Sequence, residues 1–116
     1  MNLKDWKKEH DFAEGDLFAR VIKVQRDSTK ASVQIDTDAA FDGTNTEAKL
    51  VQSNNYELNP ALWHDLPEKA IKLPTGEGSA LLSTFSFTCQ FLAVVITAGN
   101  ATTGTAQLSN KFNSNT

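Results

Sequence analysis

The chain has a single cysteine, Cys89, and no long apolar segment. One thiol excludes an intramolecular disulfide and any zinc site that needs several cysteines. The longest apolar run, Phe91 to Ile96, is far shorter than the roughly 20 residues of a membrane-spanning helix, so we expect no transmembrane segment. The N-terminal residues are polar and charged, which predicts no signal peptide and synthesis in the cytoplasm.

Motifs for nucleotide binding and for nucleophilic catalysis are also missing. The chain contains no GxxxxGK[ST] loop, no GxGxxG turn and no GxSxG elbow. His10 and His64 lie too far from each other and from Cys89 in sequence to form a recognisable zinc pattern. His64 directly precedes Asp65, and adjacent side chains normally point to different sides, so we interpret His64 as a loop residue rather than a general base. We therefore predict a protein that is not an enzyme and has no cofactor or metal site.

Charge is scarce in the C-terminal third. The chain carries 11 basic and 14 acidic residues, and Lys111 is the only charged residue after Cys89. No cluster of Lys and Arg suggests a groove for nucleic acid, so we expect no nucleic-acid partner. The last twenty residues contain twelve Ser, Thr, Asn or Gln residues. An unusually polar but uncharged segment of this kind is one of the features on which the functional prediction depends.

An acidic stretch, Asp36-Thr37-Asp38 followed by Asp42-Gly43, raises the alternative of a calcium site, because Ca²⁺ is held by several oxygen ligands from one loop. The spacing does not match an EF-hand, and no Glu closes the loop at the twelfth position. We favour a solvated loop in which the Asp side chains form Asx-turns.

Alternation of apolar and polar residues with a period of two predicts an all-β fold. Short strands separated by turn residues are typical of an antiparallel β-sandwich or jelly roll, here of seven or eight strands. We expect an N-terminal arm at 1–16, extended or with a short amphipathic helix, followed by a single sandwich domain at 17–116. The predicted strands cover 18–25, 30–36, 47–53, 69–73, 81–88, 90–97 and 105–112.

The same alternation predicts which side chains form the core, and the density of apolar residues at 90–97 predicts a strand covered on both faces. Cys89 is expected to be a buried, inert thiol within an apolar strand. The predicted core residues are Val33, Ile35, Leu50, Trp63, Phe85, Phe87, Phe91, Val94 and Ile96.

Tyr56 and Trp63 are the candidate ligand-contact residues. Aromatic rings stack on sugars, and a few polar side chains are enough to complete such a site. Trp63 lies between Leu62 and Leu66, which favours packing in the core, whereas Tyr56 follows Asn54-Asn55 in a loop and is the better candidate for exposure.

A resemblance to a known class of proteins covers about half of the chain. From Phe41 to Asn100 the features follow in the order FDGT, KLVQSNN, ALWHDLPE, a glycine-rich turn, FTCQFLAVVITAGNAT and TGT. This order is similar to that of small β-sandwich proteins among bacteriophage virion components, and its rhythm resembles that of a discoidin-like carbohydrate-binding module. The first resemblance implies a capsid, penton, decoration or spike component located in the virion, with other virion proteins as partners. The second implies an adhesion module that binds a glycan, such as one on a host surface.

The uncharged C-terminal region leads to a prediction about assembly. Interface cores are depleted of charged residues, because an unpaired charge is costly to desolvate. We therefore expect a homo-oligomer, a trimer or a pentamer, with Thr103, Thr105, Gln107 and Asn110 at the subunit interface. The alternative is an ordinary sheet whose solvent face carries hydroxyls and amides.

Overall fold

The computed structural model describes residues 4–5, 9–11, 17–97 and 105–113. These residues form an all-β fold, as the sequence predicts, with a single turn of 3-10 helix at Pro60–Leu62. The ten strands are β1 (Lys4–Asp5), β2 (Glu9–Asp11), β3 (Leu17–Lys23), β4 (Lys30–Thr37), β5 (Glu47–Ser53), β6 (His64–Asp65), β7 (Ile71–Lys72), β8 (Gly78–Thr84), β9 (Phe91–Thr97) and β10 (Thr105–Asn113).

The strands form two sheets packed as a β-sandwich. The first sheet has the order β1-β3-β9-β5-β6, with β7 also paired to β5, and the second has the order β2-β10-β4-β8. All pairings among the described strands are antiparallel except that of β1 with β3. The edges of the second sheet are therefore β2 and β8.

The pairing is nested about the middle of the chain. The outermost pair is β2 with β10, followed inward by β3 with β9, β4 with β8 and β5 with β7. Successive pairs lie alternately in the second and the first sheet. The chain therefore follows the path of one long antiparallel hairpin that is wrapped around the core, with its strand pairs divided between the two sheets. Two further pairings, β10 with β4 and β5 with β9, complete the sheets. Eight strands connected in this way give the order 1-8-3-6 in one sheet and 2-7-4-5 in the other, which is a jelly roll.

The main core lies between the two sheets. Alternate residues of a strand point inward and the residues between them point outward, because side chains on a strand have a period of two. The core prediction is confirmed for five residues of this cluster: Val33, Ile35, Leu50, Val94 and Ile96 are at most 2% exposed. Phe41 and Leu92 are also buried there, whereas Phe87 is only partly buried and packs at its border.

A smaller second core lies on the outer face of the first sheet. It contains Ala19, Val51, Trp63, Ala93 and Val95, with Phe91 partly buried beside it. Strand β9 therefore contributes to both clusters, which confirms the prediction that it is covered on both faces. This burial also gives a simple reason for the absence of charge between 91 and 96.

Strand β8 differs from the prediction for 81–88. It spans Gly78–Thr84, because Ala31 pairs with Thr84 close to the start of β4 and later residues have no partner on that strand. The Thr84 side chain then accepts a hydrogen bond from the backbone N–H of Ser86 (3.2 Å), which turns the chain. Phe85 consequently lies just outside the strand and is 75% exposed, so its assignment to the core was wrong.

Cys89 also differs from its prediction. It lies in the loop between β8 and β9 as a half-buried free thiol, not inside an apolar strand. The side chain of Gln52 holds this loop by accepting hydrogen bonds from the N–H groups of Thr88 (2.8 Å) and Cys89 (3.3 Å). The predicted strand at 69–73 is shorter as well, with only β7 at its centre.

The two short N-terminal strands fall within the predicted arm. β1 pairs with Phe18 and Ala19 of the first sheet, and β2 pairs with residues 105–107 of the second. The two described parts of this segment are thus extended and add an edge strand to each sheet.

Candidate interaction surfaces

Trp63 ends a loop that folds over the outer face of the first sheet. Its side chain packs on Val51, Ala93 and Val95 and is 9% exposed. The indole Nε1–H donates a hydrogen bond to the backbone oxygen of Glu57 (2.8 Å). Both the ring and its polar atom are therefore engaged within the protein, as the prediction of a core role requires, and little of the ring is left for a ligand.

Local hydrogen bonds explain the shape of this loop, residues 54–63, which we call the tryptophan loop. Asn55 Oδ1 accepts from the N–H of Glu57 (2.9 Å), and Asn59 Oδ1 accepts from the N–H of Ala61 (3.1 Å). Asn side chains readily form such Asx-turns, and Pro60 follows at the start of the 3-10 turn, where its missing N–H is not needed.

Tyr56 is exposed at the surface of the tryptophan loop. The residue is 69% exposed, and its ring lies edge-on to Phe91 with 6.0 Å between the ring centroids. The structure thus places the two candidate ligand-contact residues on one loop but in different environments. Tyr56 offers an aromatic surface and a hydroxyl to a partner, whereas Trp63 supports the loop.

Two shallow grooves flank an ion pair between Lys49 Nζ and Asp65 Oδ1 (3.0 Å). The groove on the Trp63 side has a volume of about 190 Å³. The groove on the other side has a volume of about 280 Å³ and is lined by Glu68 and Lys69. The Oε1 atom of Glu68 is buried and has no hydrogen-bond partner among the described residues. Both volumes lie below the usual range of pockets for small molecules, which begins near roughly 300 Å³.

A third depression, of about 380 Å³, brings His64 and Cys89 to the same surface, together with Asn54. No hydrogen bond joins His64 to Cys89 in the described part of the chain, and Asn54 Oδ1 accepts from the N–H of Gln90 (2.9 Å). A nucleophile needs a base within hydrogen-bond reach. His64, Cys89 and Asn54 therefore lie close together, but the described residues show no hydrogen bond between a base and a nucleophile here.

The three Asp residues of the acidic stretch make local hydrogen bonds. Asp36 Oδ1 accepts from Gln34 Nε2 (2.8 Å), Asp38 Oδ1 from the N–H of Ala40 (3.1 Å) and Asp42 Oδ1 from the N–H of Thr44 (3.0 Å). Hydrogen bonds from the side chain and backbone of Thr44 lower the pKa of Asp42 below its usual value. Among the described residues no three acidic, histidine or cysteine side chains are grouped to hold a metal ion. Asp38 and Asp42 therefore form the predicted Asx-turns, whereas Asp36 lies in β4 and bonds to the side chain of Gln34.

The outer face of the second sheet is rich in serine. We call it the serine-rich face, and its side chains alternate with the buried residues of the same strands. On β4, β8 and β10 it carries two basic residues and one acidic residue, and the side chains of these three strands on this face are mostly exposed. The residues are Lys30, Ser32, Gln34 and Asp36 on β4, Ser79, Leu81 and Ser83 on β8, and Gln107, Ser109, Lys111 and Asn113 on β10. At the β2 edge, Glu9 pairs with Gln107 and Asp11 with Thr105.

Large apolar side chains are exposed along the β8 side of this face. Leu81 is 60% exposed, and Phe85, just beyond the end of β8, is 75% exposed. Leu81 is not among the predicted contact residues, although the sequence carries a signal for its exposure. Leu81 and Leu82 are adjacent in a strand, so only one of them can point to the core, and Leu82 is the buried one.

The predicted interface residues do not share one face. Gln107 is exposed on the serine-rich face, whereas Asn110 pairs with the inward-pointing Val33 and is therefore on the opposite side of β10, where it is also exposed. The backbone of Thr105 begins β10 opposite Asp11. Thr103 lies outside the described residues.

No helix in the described ranges is long and apolar enough to span a membrane. Comparison with protein-family models, with curated proteins and with solved structures finds no match to this chain.

Proposed function

We propose that this chain is a non-enzymatic structural protein of a virion that assembles as a homo-oligomer. The observation that carries the proposal is the serine-rich face, with Leu81 and Phe85 exposed at its edge. Exposed apolar residues beside a polar surface with few charges mark protein interfaces, because covering the apolar residues with a partner is favourable and little charge has to be desolvated.

The fold is consistent with this role. Jelly rolls serve as capsid domains and also as lectin domains, so the architecture supports an assembly or binding role without identifying which. The resemblance of 41–100 to small phage virion proteins favours the first. It implies a position as a capsid, penton, decoration or spike component, in contact with other virion proteins after synthesis in the host cytoplasm.

The open edge of the second sheet favours a closed ring. β8 pairs only with β4 among the described strands, so its other side presents backbone groups to a neighbour. Exposed edges promote uncontrolled association unless they are covered, and a ring of three or five copies covers them in a closed arrangement.

The mass of the chain in solution tests this proposal. We expect sedimentation equilibrium to show a closed oligomer for the intact chain and a smaller species for the double variant Leu81→Ser/Phe85→Ser. Tyr56→Ser is the matched control, since it removes an exposed aromatic from the tryptophan loop, which lies on the other sheet, and we expect its mass to equal that of the intact chain. A monomeric intact chain at millimolar concentration would contradict the proposal.

A second candidate function is glycan binding, and the exposure of Tyr56 favours it. The tyrosine ring stands beside polar Asn54 and Asn55, which suits the mixture of stacking and hydrogen bonding that sugars require. A glycan array probed with the intact chain and with Tyr56→Ala separates the two functions. A signal lost with Tyr56 would favour the adhesion module, and an array without signal would leave no support for it.

A further inference from the structure

We propose that the serine-rich face is a two-fold contact between copies of this chain. The inference rests on the proposed homo-oligomer and specifies which surfaces meet. A sheet face stacked on its own copy is an isologous contact, in which each residue pair occurs twice. A face with a self-complementary pattern of charge and shape is suited to such a contact.

Three rows of residues across the strands define the pattern. The middle row is Leu81, Gln34 and Ser109. On one side of it lies the row Ser83, Ser32 and Lys111, and on the other side the row Ser79, Asp36 and Gln107. The basic and acidic rows are therefore equally distant from the middle row.

A two-fold axis along the middle row superposes the basic row of one copy on the acidic row of the other. Lys111 then lies over Gln107 of the second copy. Asp36 of the second copy is on the strand next to this Gln107, and neighbouring strands are about 5 Å apart. Both Lys111–Asp36 pairs form between copies. Within one chain the same two residues are four register positions apart, or roughly 13 Å, too far for a direct ion pair.

The axis also brings the two Leu81 side chains together. Leu81 is 60% exposed in the single chain and lies in the middle row on the edge strand β8, so it meets its own copy on the axis at the β8 edge of the contact. The small serine side chains around it allow the two sheets to approach. Lys30, at the basic end of β4, adds charge of the same sign as Lys111.

The size of the face indicates a modest affinity. The three long strands β4, β8 and β10, spaced at about 4.8 Å and paired over about seven residues at about 3.3 Å each, cover roughly 300 Å². Stable interfaces bury about 800 Å² on each partner. The contact should therefore depend on protein concentration when it acts alone. The copies within a ring of three or five are joined through their strand edges. The contact between serine-rich faces then joins one ring to another ring.

Charge reversal provides the test. In Lys111→Glu and in Asp36→Lys, both ion pairs become pairs of like charge, and we expect each variant to sediment at half the mass of the intact chain, with the dissociation constant raised about tenfold or more. An equal mixture of the two variants restores both pairs, because each copy then meets one of opposite charge. We expect the mixture to regain the full mass, and salt to weaken both the mixture and the intact chain.

Lys23→Glu is the matched control, since it makes the same change in net charge on the other sheet. Its mass should equal that of the intact chain, and circular dichroism of all variants should confirm that they are folded. If the intact chain is oligomeric but both reversals leave its mass unchanged, or if the mixture fails to recover, the contact is wrong and the proposed function stands. If the intact chain is monomeric at every concentration, the proposed function itself is wrong.

Discussion

Phe85 and Phe87 are two residues apart and follow the same alternation, yet their environments differ. Phe87 packs against the core between the sheets and makes an edge-on contact with Phe112, with ring centroids 6.3 Å apart. Phe85 is exposed at the end of β8. The difference arises because the strand has ended before both residues, so the loop backbone sets the direction of each ring independently.

This difference predicts unequal effects of truncation. Phe87→Ala should lower the free energy of unfolding by about 2–4 kcal/mol, because it removes a partly buried ring from the border of the core. Phe85→Ala should change it by less than about 0.5 kcal/mol, as for most surface positions. Urea denaturation of both variants measures the difference, and equal midpoints for the two would contradict it.

At the level of elements, the connection between β4 and β5 is tied to the segment before β8. The backbone oxygen of Phe41 accepts from the N–H of Gly76 (2.7 Å), and Gly43 N–H donates to Thr75 Oγ1 (3.1 Å). Phe41 itself is 1% exposed. These contacts hold one end of the sandwich closed over the core.

Gly43 has no room for a side chain. A Cβ at this position would collide with the backbone oxygen of Pro74 and come within 2.6 Å of that of Leu73. Gly43→Ala should therefore destabilise the fold by about 2–3 kcal/mol, because the two segments must separate. Thermal denaturation measures the effect.

Gly76→Ala is the comparison, since a Cβ there meets nothing within 4 Å and only the positive φ of 85° opposes it. That strain costs roughly 1–2 kcal/mol. A Gly43→Ala variant as stable as the intact chain would show that these segments do not pack as described.

For the whole molecule, nested pairing makes almost every sheet contact long-range. β3 pairs with β9 and β4 with β8, so residues far apart in sequence must meet before either sheet can form. Such topologies fold slowly, because the entropy of closing long loops is lost before the contacts form. The described buried residues extend from Ala19 to Leu108, and both core clusters are drawn from this range.

Deletion of residues 1–16 tests whether 17–116 is the folding unit. We expect the truncated chain to retain a β-type circular dichroism spectrum, because both described core clusters remain complete. We also expect a lower melting temperature and more aggregation, since the loss of β1 and β2 uncovers the edges of β3 and part of β10. A truncated chain that is unfolded at 25 °C would show that the arm belongs to the domain.

The sequence alone determined the class of fold and most of the inward-facing residues. Period-two alternation is a local property of a strand, so the inward-facing residues of β4 and the double burial of β9 could be predicted without knowledge of their partners. Tyr56 was predicted to be exposed for a similarly local reason, because it follows a turn signal. These predictions needed only neighbouring residues.

Tertiary structure decided the rest. The end of β8, the exposure of Leu81 and Phe85, and the alignment of Lys111 with Ser32 depend on where β4 begins and which strands lie beside it. Register between distant strands is set by the sum of all contacts on both faces, which no local pattern contains. The serine-rich face, and with it the proposed contact between copies, therefore exists only once the chain has been rolled into two sheets.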